Sequence, residues 1–469
     1  FFFKQKTAYE ISTRDWSSDV CSSDLRGADR GRPARRVARP HPGTIRRVQR
    51  DVAVVGAGYV GLPLAVRLAE AGRTVVCLDP DEGKMARLNA GDSYIEDVPS
   101  ADLKRLVDAG SLAGTTDETE LRDADAILIC VPTPLAEHRE PDLGAVRAAT
   151  AAVARNLRKG HVVVLESTTY PGTTREVLQP MLEEGGLVAG TDFHLAMSPE
   201  RIDPGRTDFT VRTTPKVMGG ITAACAERAA AVYEGAVDNV VRVSSPEAAE
   251  LAKLLENIFR TVNIALVNEL AMLCDHLGLD VWEVIDAAAT KPFGFMRFEP
   301  GPGLGGHCLP IDPFYLTWKA REHGVSTEFI ELAGKVNEHM PHYCVDRIAR
   351  LLNEDAKSVK GARVLLLGVA YKNDVGDMRE SPALPIVEQL RERGANVDYH
   401  DPHVPEMHEL GMASVALTAD AVRAADCVVI VTGHADVDYA MVVGEAKAVL
   451  DLRNATGRRG LGGANVQRL

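Results

Sequence analysis

The sequence predicts an α/β chain in which two doubly wound parallel sheets are joined by a long central helix. Three observations carry the prediction. Apolar, β-rich runs alternate with helical stretches from Asp51 onward, a strand-free stretch of helical periodicity follows, and then the first pattern returns in the same order. With 469 residues and about 150 per domain, there is room for two or three domains.

Residues 1–50 stand apart from that pattern. They carry no sustained period and gather nine arginines between Arg26 and Arg50, and Phe1–Leu25 resembles a translated sequencing-adapter fragment. They are expected to be a disordered or artefactual leader. A targeting peptide or a basic arm is the alternative, but no apolar core of about 7–15 residues with a small-residue cleavage site follows the charges.

From Asp51 to about residue 245 the runs VAVVGAG, TVVCLDP, ADAILICVP and HVVVLES alternate with PLAVRLAEAG, MARLNAG and AVRAATAAVARNL. Such alternation gives a parallel sheet covered on both faces. Over residues 246–340 the strand signals vanish, and Leu251, Leu255, Ile258, Val262, Leu266, Leu270 and Leu273 recur at helical spacing, which predicts one long helix. One small domain does not cover so long a helix on every side, so a second copy of the chain is the expected partner, in a homodimer. From about residue 341, ARVLLLGVAY repeats DVAVVGAGY, VDYHDP repeats VVCLDP, and AADCVVIVTGHAD repeats DADAILICVPTP. A second sheet of the same kind is therefore expected over residues 341–469.

Composition narrows the function. A net formal charge of −13 repels phosphate over most of the surface and argues against general nucleic-acid binding. No apolar run approaches the roughly 20 residues needed to cross a bilayer, so no membrane span is expected. The eight cysteines are scattered, with no CxxC pair and no His–Cys cluster, a pattern of a reducing, cytoplasmic setting without a metal site.

Gly56-Ala57-Gly58-Tyr59-Val60-Gly61 follows the strand DVAVV and opens a helix. Gly56 suits the tight turn, Gly58 lets backbone approach a pyrophosphate, and Gly61 lets helix and strand pack closely. Asp79 ends the next strand, 18 residues past Gly61, where a carboxylate accepts ribose hydroxyls and disfavours a 2′-phosphate. The cofactor is expected to be NAD, although Lys84 close by would tolerate phosphate. These features make the first domain Rossmann-like. The repeat in the second sheet keeps only Gly368 and continues Val369, Ala370, Tyr371, so a different nucleotide is expected there, with Lys372 and Arg379 either meeting its phosphates or standing as solvated charges.

In Pro300–Pro313, Gly301, Gly303, Gly305 and Gly306 crowd Cys308. The glycines would let a ligand lie against backbone and leave Cys308 accessible as a nucleophile; the alternative is a small buried hydrophobe. His307 is read as a loop or substrate contact. Lys253 and Asn257 stand at i and i+4 on the long helix, where both project from one face. Asp312, followed by Pro313, reads equally well as a helix N-cap.

GAGYVGLPLA, SPERIDPG, ELAKLLENIFR, PGPGLGGHCLPIDPFYLTWKA and GVAYKNDVGDMRESPA together resemble the UDP-glucose/GDP-mannose dehydrogenase family across residues 51–469. Within it the text is most similar to the enzymes acting on UDP-N-acetylglucosamine, with those acting on UDP-N-acetylmannosamine close behind. His307 and Ile311 stand where UDP-glucose enzymes usually carry Ser and Lys. The resemblance implies a four-electron oxidation of a sugar C6 alcohol with two NAD⁺, through Cys308 as nucleophile. It implies oxyanion contacts from Lys253 and Asn257, a positioning role for Asp312, an acid–base role for Glu200 and water ordering by Thr168. A second family glutamate is replaced by Pro204, which leaves the division of proton transfer open. Thr133 and Arg379 join Tyr59 and Val60 as implied cofactor contacts. Lys372, Arg453, Gly305 and Gly306 are implied at the UDP-sugar, and Arg297 is placed to reach a neighbouring subunit. A two-electron hydroxyacid dehydrogenase on the same plan would not need Cys308, and a non-catalytic regulatory protein would not need Lys253, Asn257, Cys308 and Asp312 together.

Overall fold

A computed structural model describes residues 49–95, 97–136, 140–201, 209–306 and 309–469. The expected leader up to residue 48 lies outside these residues, as do Pro204, His307 and Cys308. The first sheet contains β1 (Arg50–Val55), β2 (Val75–Leu78), β3 (Leu112–Thr115), β4 (Ala124–Ile129), β5 (Val162–Leu165), β6 (His194–Met197), β7 (Lys216–Gly220) and β8 (Val240–Val243). Their order is β3-β2-β1-β4-β5-β6-β7-β8. Around them lie α1 (Gly61–Glu70), α2 (Glu82–Ala90), α3 (Ser100–Asp108), α4 (Gly144–Asn156), α5 (Gln179–Glu183) and α6 (Ala223–Val232).

The central strands are buried on both faces because both are covered. Val52 and Val54 of β1 join one core with Leu62 and Leu68 of α1, whereas Ala53 and Val55 join another with Val146 and Val153 of α4. Such strands read as unbroken apolar runs, which made them legible in sequence. The first sheet is parallel, as expected, except at one pairing: β7 runs antiparallel to β6. No helix stands between them among the described residues, so the chain doubles back at the carboxyl edge of the sheet.

Helix α7 (Pro246–Leu277) spans 32 residues, about 48 Å at 1.5 Å per residue. Ser245 caps it by accepting from the Ala248 N–H, Pro246 fills its first position, and Gly278 ends it at φ +68°. Its first half puts Ala249, Leu254 and Ile258 into the first sheet's core; its second half puts Val267, Ala271 and Cys274 into the second sheet's. After α8 (Val281–Ala289) and α9 (Asp312–Glu322), α10 (Glu328–Glu354) packs along α7. The domain boundary expected at residue 340 thus falls inside a helix, which runs on through Pro341.

The second sheet is built from β9 (Arg363–Leu367), β10 (Asn396–His400) and, after a two-residue hairpin β11 (Glu406–Met407) and β12 (Met412–Ala413), from β13 (Cys427–Ile430), β14 (Val449–Asp451) and β15 (Val466–Arg468). It is parallel throughout, in the order β10-β9-β13-β14-β15. Helices α11 (Ala383–Glu392), α12 (Ala419–Ala424) and α13 (Tyr439–Glu445) complete it. In each sheet the strand order reverses beside the first strand of the repeat, between β1 and β4 and between β9 and β13. That reversal opens a crevice at the strands' carboxyl ends, where such folds bind ligands.

Candidate active site

The glycine turn at the end of β1 has the shape of a dinucleotide cradle. Gly56 sits at φ +94°, and a Cβ there would lie 2.7 Å from the Cys130 carbonyl oxygen; one on Gly61 would lie 1.8 Å from the Gly56 oxygen. A Cβ on Gly58 would meet nothing within 4 Å. The turn is therefore closed towards protein at Gly56 and Gly61 and open at Gly58. Helix α1 starts with Val60 at its cap, with no side-chain cap and no acid in its first turn, so its N–H groups face the opening as donors for a pyrophosphate. Buried Asp79 holds the turn from behind, one oxygen accepting from Ala57 N (3.0 Å) and the other from Asp81 N (3.1 Å). A carboxylate has lone pairs left for ribose hydroxyls after these bonds. Lys84 stands 3.9 Å away. These residues fit NAD.

Half-exposed Tyr59 lies under the guanidinium of Arg379, 4.6 Å from its ring centre. Arg379 belongs to the second sheet's loop and is aimed by Asp377, to which its Nη2 donates at 2.6 Å. On the other side of the cradle, the Thr133 carbonyl oxygen accepts from the Tyr315 hydroxyl of α9 (3.1 Å), which fastens α9 to the end of the first sheet.

Lys253, Asn257 and Asp312 are all buried, Asn257 is bonded to Asp312, and the Lys253 charge acts on the same carboxyl. Asn257 Nδ2 donates to Asp312 Oδ2 at 2.5 Å. Burial pushes the Asp312 carboxyl up to about 6, against the pull of the Lys253 charge and the Asn257 hydrogen bond. The N-cap reading of Asp312 is corrected. It is the first residue of α9, Ile311 occupies the cap, and the carboxylate turns inward to α7. The short chain of buried amides Gly301 N to Asn268, Asn268 to Asn337, and Asn337 to Thr261 O fixes the glycine segment against α7 and α10.

Three of that segment's glycines allow close contact with the second sheet's lobe. A Cβ on Gly305 would lie 2.6 Å from Tyr371 Cβ, one on Gly306 2.9 Å from the Tyr371 ring, and one on Gly301 2.5 Å from an Arg453 guanidinium nitrogen. Gly306 N also donates to Arg379 O (2.9 Å). Gly305 and Gly306 therefore pack closely on the second sheet's loop. Arg453 is half-buried, its Nε on Val431 O at 3.0 Å. Lys372 is half-buried in that same loop. Arg297 is paired within its own chain with Asp286 and Glu299.

Half-buried Thr168 follows the end of β5. Its loop is pinned from α7 by buried Glu250, whose carboxylate accepts from Gly172 N (2.6 Å), Thr174 N (2.9 Å) and Thr174 Oγ1 (2.7 Å). Burial pushes Glu250 up to about 7 despite those bonds. Glu200, just past β6, accepts from Arg201 N (2.7 Å) and stands 3.5 Å from the Lys216 ammonium. Arg201 in turn reaches Pro215 O (2.6 Å) and Glu256 on α7 (2.6 Å).

Sequence reading missed Glu250, Glu166, Lys216 and Tyr233. Glu166 is buried at the end of β5, paired with Lys216 at 2.6 Å and with the Tyr233 hydroxyl. The available signal was a charge ending the apolar run VVVLE and another opening KVMGG. Nothing local said that the two would meet.

Three profiles of one family match this chain: the UDP-glucose/GDP-mannose dehydrogenase family NAD binding domain over residues 50–237, its central domain over 247–339 and its UDP binding domain over 365–458. The chain is 38% identical to a UDP-N-acetyl-D-glucosamine 6-dehydrogenase of Pseudomonas aeruginosa over 390 residues, covering 82% of this chain and 90% of that one. It is 36% identical to a UDP-N-acetyl-D-mannosamine dehydrogenase of Pyrococcus horikoshii, covering 82% and 89%. A solved structure of the UDP-D-ManNAc dehydrogenase from Pyrococcus horikoshii superposes with a TM-score of 0.81 at 33% identity, covering 89% of this chain and 98% of that one. A UDP-glucose dehydrogenase structure from Pyrobaculum islandicum superposes at 0.78 with 30% identity, covering 91% and 100%.

Proposed function

We propose that this chain, which belongs to the UDP-glucose/GDP-mannose dehydrogenase family and is an NAD-dependent nucleotide-sugar dehydrogenase, oxidises the C6 alcohol of UDP-N-acetylglucosamine to the uronate. The single observation that carries the proposal is the buried Lys253–Asn257–Asp312 constellation, on the helix and segment that flank Cys308 in sequence. When bound, NAD⁺ accepts a hydride from the sugar carbon, and two equivalents in turn complete the oxidation.

The chain's own residues supply the rest. Glu200, or a water ordered by Thr168, takes the C6 hydroxyl proton as the first hydride leaves. The Cys308 thiolate then adds to the aldehyde carbon, forming a C–S bond and an oxyanion that Lys253 and Asn257 stabilise by hydrogen bonding. Loss of the second hydride leaves a thioester, and water hydrolyses it to the carboxylate, returning the thiolate. Asp312 orients Asn257 and balances Lys253. Tyr59, Val60, Thr133 and Arg379 frame the cofactor beside Gly56, Gly58, Gly61, Asp79 and Lys84. Lys372 and Arg453 meet the UDP diphosphate. We assign residues 51–245 to NAD, 246–340 to the helical centre and 341–469 to the UDP-sugar. A second substrate, UDP-N-acetylmannosamine, is favoured by the Pyrococcus horikoshii relative and its structure.

The test is stoichiometry across UDP-GlcNAc, UDP-ManNAc, UDP-glucose and GDP-mannose. UDP-GlcNAc is expected to give the highest kcat/KM and two NADH per sugar; one NADH per sugar refutes the four-electron course. Cys308→Ala is expected to form no uronate, and uronate at the normal rate would remove the nucleophile assignment.

We also propose a homodimer through α7, in a reducing cytoplasm that suits the six free thiols among the described residues. Leu251, Leu255, Phe259, Leu266, Leu273 and Leu277 leave an exposed apolar stripe along the helix, which a monomer would hold in water. Replacing Leu255 and Leu266 together by Glu is expected to halve the mass seen by light scattering; an unchanged mass excludes this interface.

A further inference from the structure

The reversal of β7 against β6 has a local effect at the sheet's carboxyl edge. Ala196 pairs with Gly220 and Met197 with Gly219, and continuing that register past the last rung brings Lys216 opposite Glu200. The distance agrees: Lys216 Nζ lies 3.5 Å from Glu200 Oε2. The ammonium is buried and held from the other side by Glu166 at 2.6 Å and by the face of the Tyr233 ring at 5.3 Å. Glu166 is itself held by the Tyr233 hydroxyl.

We propose that Lys216 is a positioning residue for Glu200, a fixed buried charge that keeps the Glu200 carboxylate ionised and aimed while Glu166 and Tyr233 lock the ammonium in place. The proposal rests on the assignment of Glu200 as the acid–base group. A buried ion pair is seldom better for stability than an apolar filling of the same volume. What it adds here is a defined positive potential at one carboxylate. Burial works against the charge, yet Glu166 and Glu200 together hold the Lys216 ammonium above its usual range.

The ionisable groups around the pair come from five elements. Cys130 follows β4, Glu166 follows β5, Tyr233 follows α6, and Arg201 with its Glu256 partner comes from beyond β6 and from α7. Of these, Glu166 is the carboxylate that shares Lys216, so it and Lys216 act on Glu200 with opposite sign.

The experiment uses the full-length enzyme and its pH profile of kcat/KM, whose acid limb reports the base of the free enzyme. In Lys216→Met the limb is expected to move up by about one pH unit, the size expected for losing an opposite charge within about 4–6 Å. Lys216→Arg is expected to restore the wild-type limb. In Glu166→Gln, which removes a like charge and leaves the ammonium to Glu200 alone, the limb is expected to move down. A merely structural role would lower rates without opposed shifts. An unmoved limb in Lys216→Met overturns the proposal, as does an unmoved or raised limb in Glu166→Gln, which decides the matter if Lys216→Met does not fold. Glu200→Gln separates the two levels: a wild-type rate and limb in that variant overturns the assignment of Glu200 itself, whereas a slow variant without the limb keeps that assignment and leaves the Lys216 results to stand or fall by themselves.

Discussion

At the carboxyl end of β1, Gly56 turns at φ +94° and the aspartate ending the neighbouring strand, Asp79, takes the Ala57 N–H. At the carboxyl end of β9, Gly368 turns at φ +76° and Asp401, in the matching place, takes the Val369 and Ala370 N–H groups at 2.7 and 3.1 Å. The frame is one; the finish differs. In the first turn Gly58 leaves open space. The second has Ala370 and Asn373 where the first has Gly58 and Gly61, and the Asn373 amide oxygen accepts from Gly433 N. In the first turn Asp79 keeps acceptor capacity. In the second, His434 consumes it: Asp374 N donates to His434 Nδ1, which puts the ring proton on Nε2, and Nε2 donates to Asp401 at 3.0 Å. A similar strand–turn–aspartate frame thus becomes a dinucleotide cradle in one lobe and a self-satisfied turn in the other, according to two glycines and one histidine.

Substitutions in the two turns sharpen or break this contrast. Gly61→Ala carries the largest expected effect, because its Cβ would sit 1.8 Å from the Gly56 oxygen; a loss of roughly 3 kcal/mol is expected in urea unfolding. Gly58→Ala is expected to leave the melting temperature in place and weaken NAD⁺ roughly tenfold or more in a direct titration, since the methyl would fill the pyrophosphate's approach. Normal NAD⁺ affinity in Gly58→Ala would break the comparison.

The aspartates come next. Burial works against its charge, yet the His434 bond and the N–H groups of Val369 and His403 hold the Asp401 carboxyl down to about 2. Its contribution is complete above about pH 4 and lost as pH falls through about 2, so Asp401→Asn is expected to cost about 2 kcal/mol at neutral pH. The deficit should vanish in unfolding curves near pH 2. Asp79→Asn is expected to act mainly on NAD⁺ affinity.

Asp312 shifts the other way, up to about 6, so its ionisation costs stability above that pH and nothing below about 4. Asp312→Asn is expected to raise stability by about 1 kcal/mol at pH 7.5, the loss of Lys253's partner offsetting the rest, while lowering kcat. A fall in melting temperature at that pH would show that the Lys253 pairing outweighs the burial of the carboxylate.

What was legible in sequence follows from distance along the chain. The glycine turn, the strand repeats and the 32-residue helix are written in neighbouring residues, so periodicity and spacing reveal them. Lys253 and Asn257 share a helical face by spacing alone, but that Asp312 would close on them depends on how α9 docks through Tyr315. Lys216 and Glu166 lie 50 residues apart and meet only because β7 runs backward, a reversal that apolar runs do not encode. The glycines at 301–306 were legible as a demand for close approach, but the partners, Tyr371 and Arg453, lie on the far lobe.

The backbone oxygen of Arg379 takes the Gly306 N–H while its guanidinium rests on Tyr59. One residue therefore joins the glycine segment before Cys308 in sequence to the dinucleotide turn. Any displacement of that one residue would reach both the turn at Gly56–Gly61 and the segment that leads on to Cys308 in sequence.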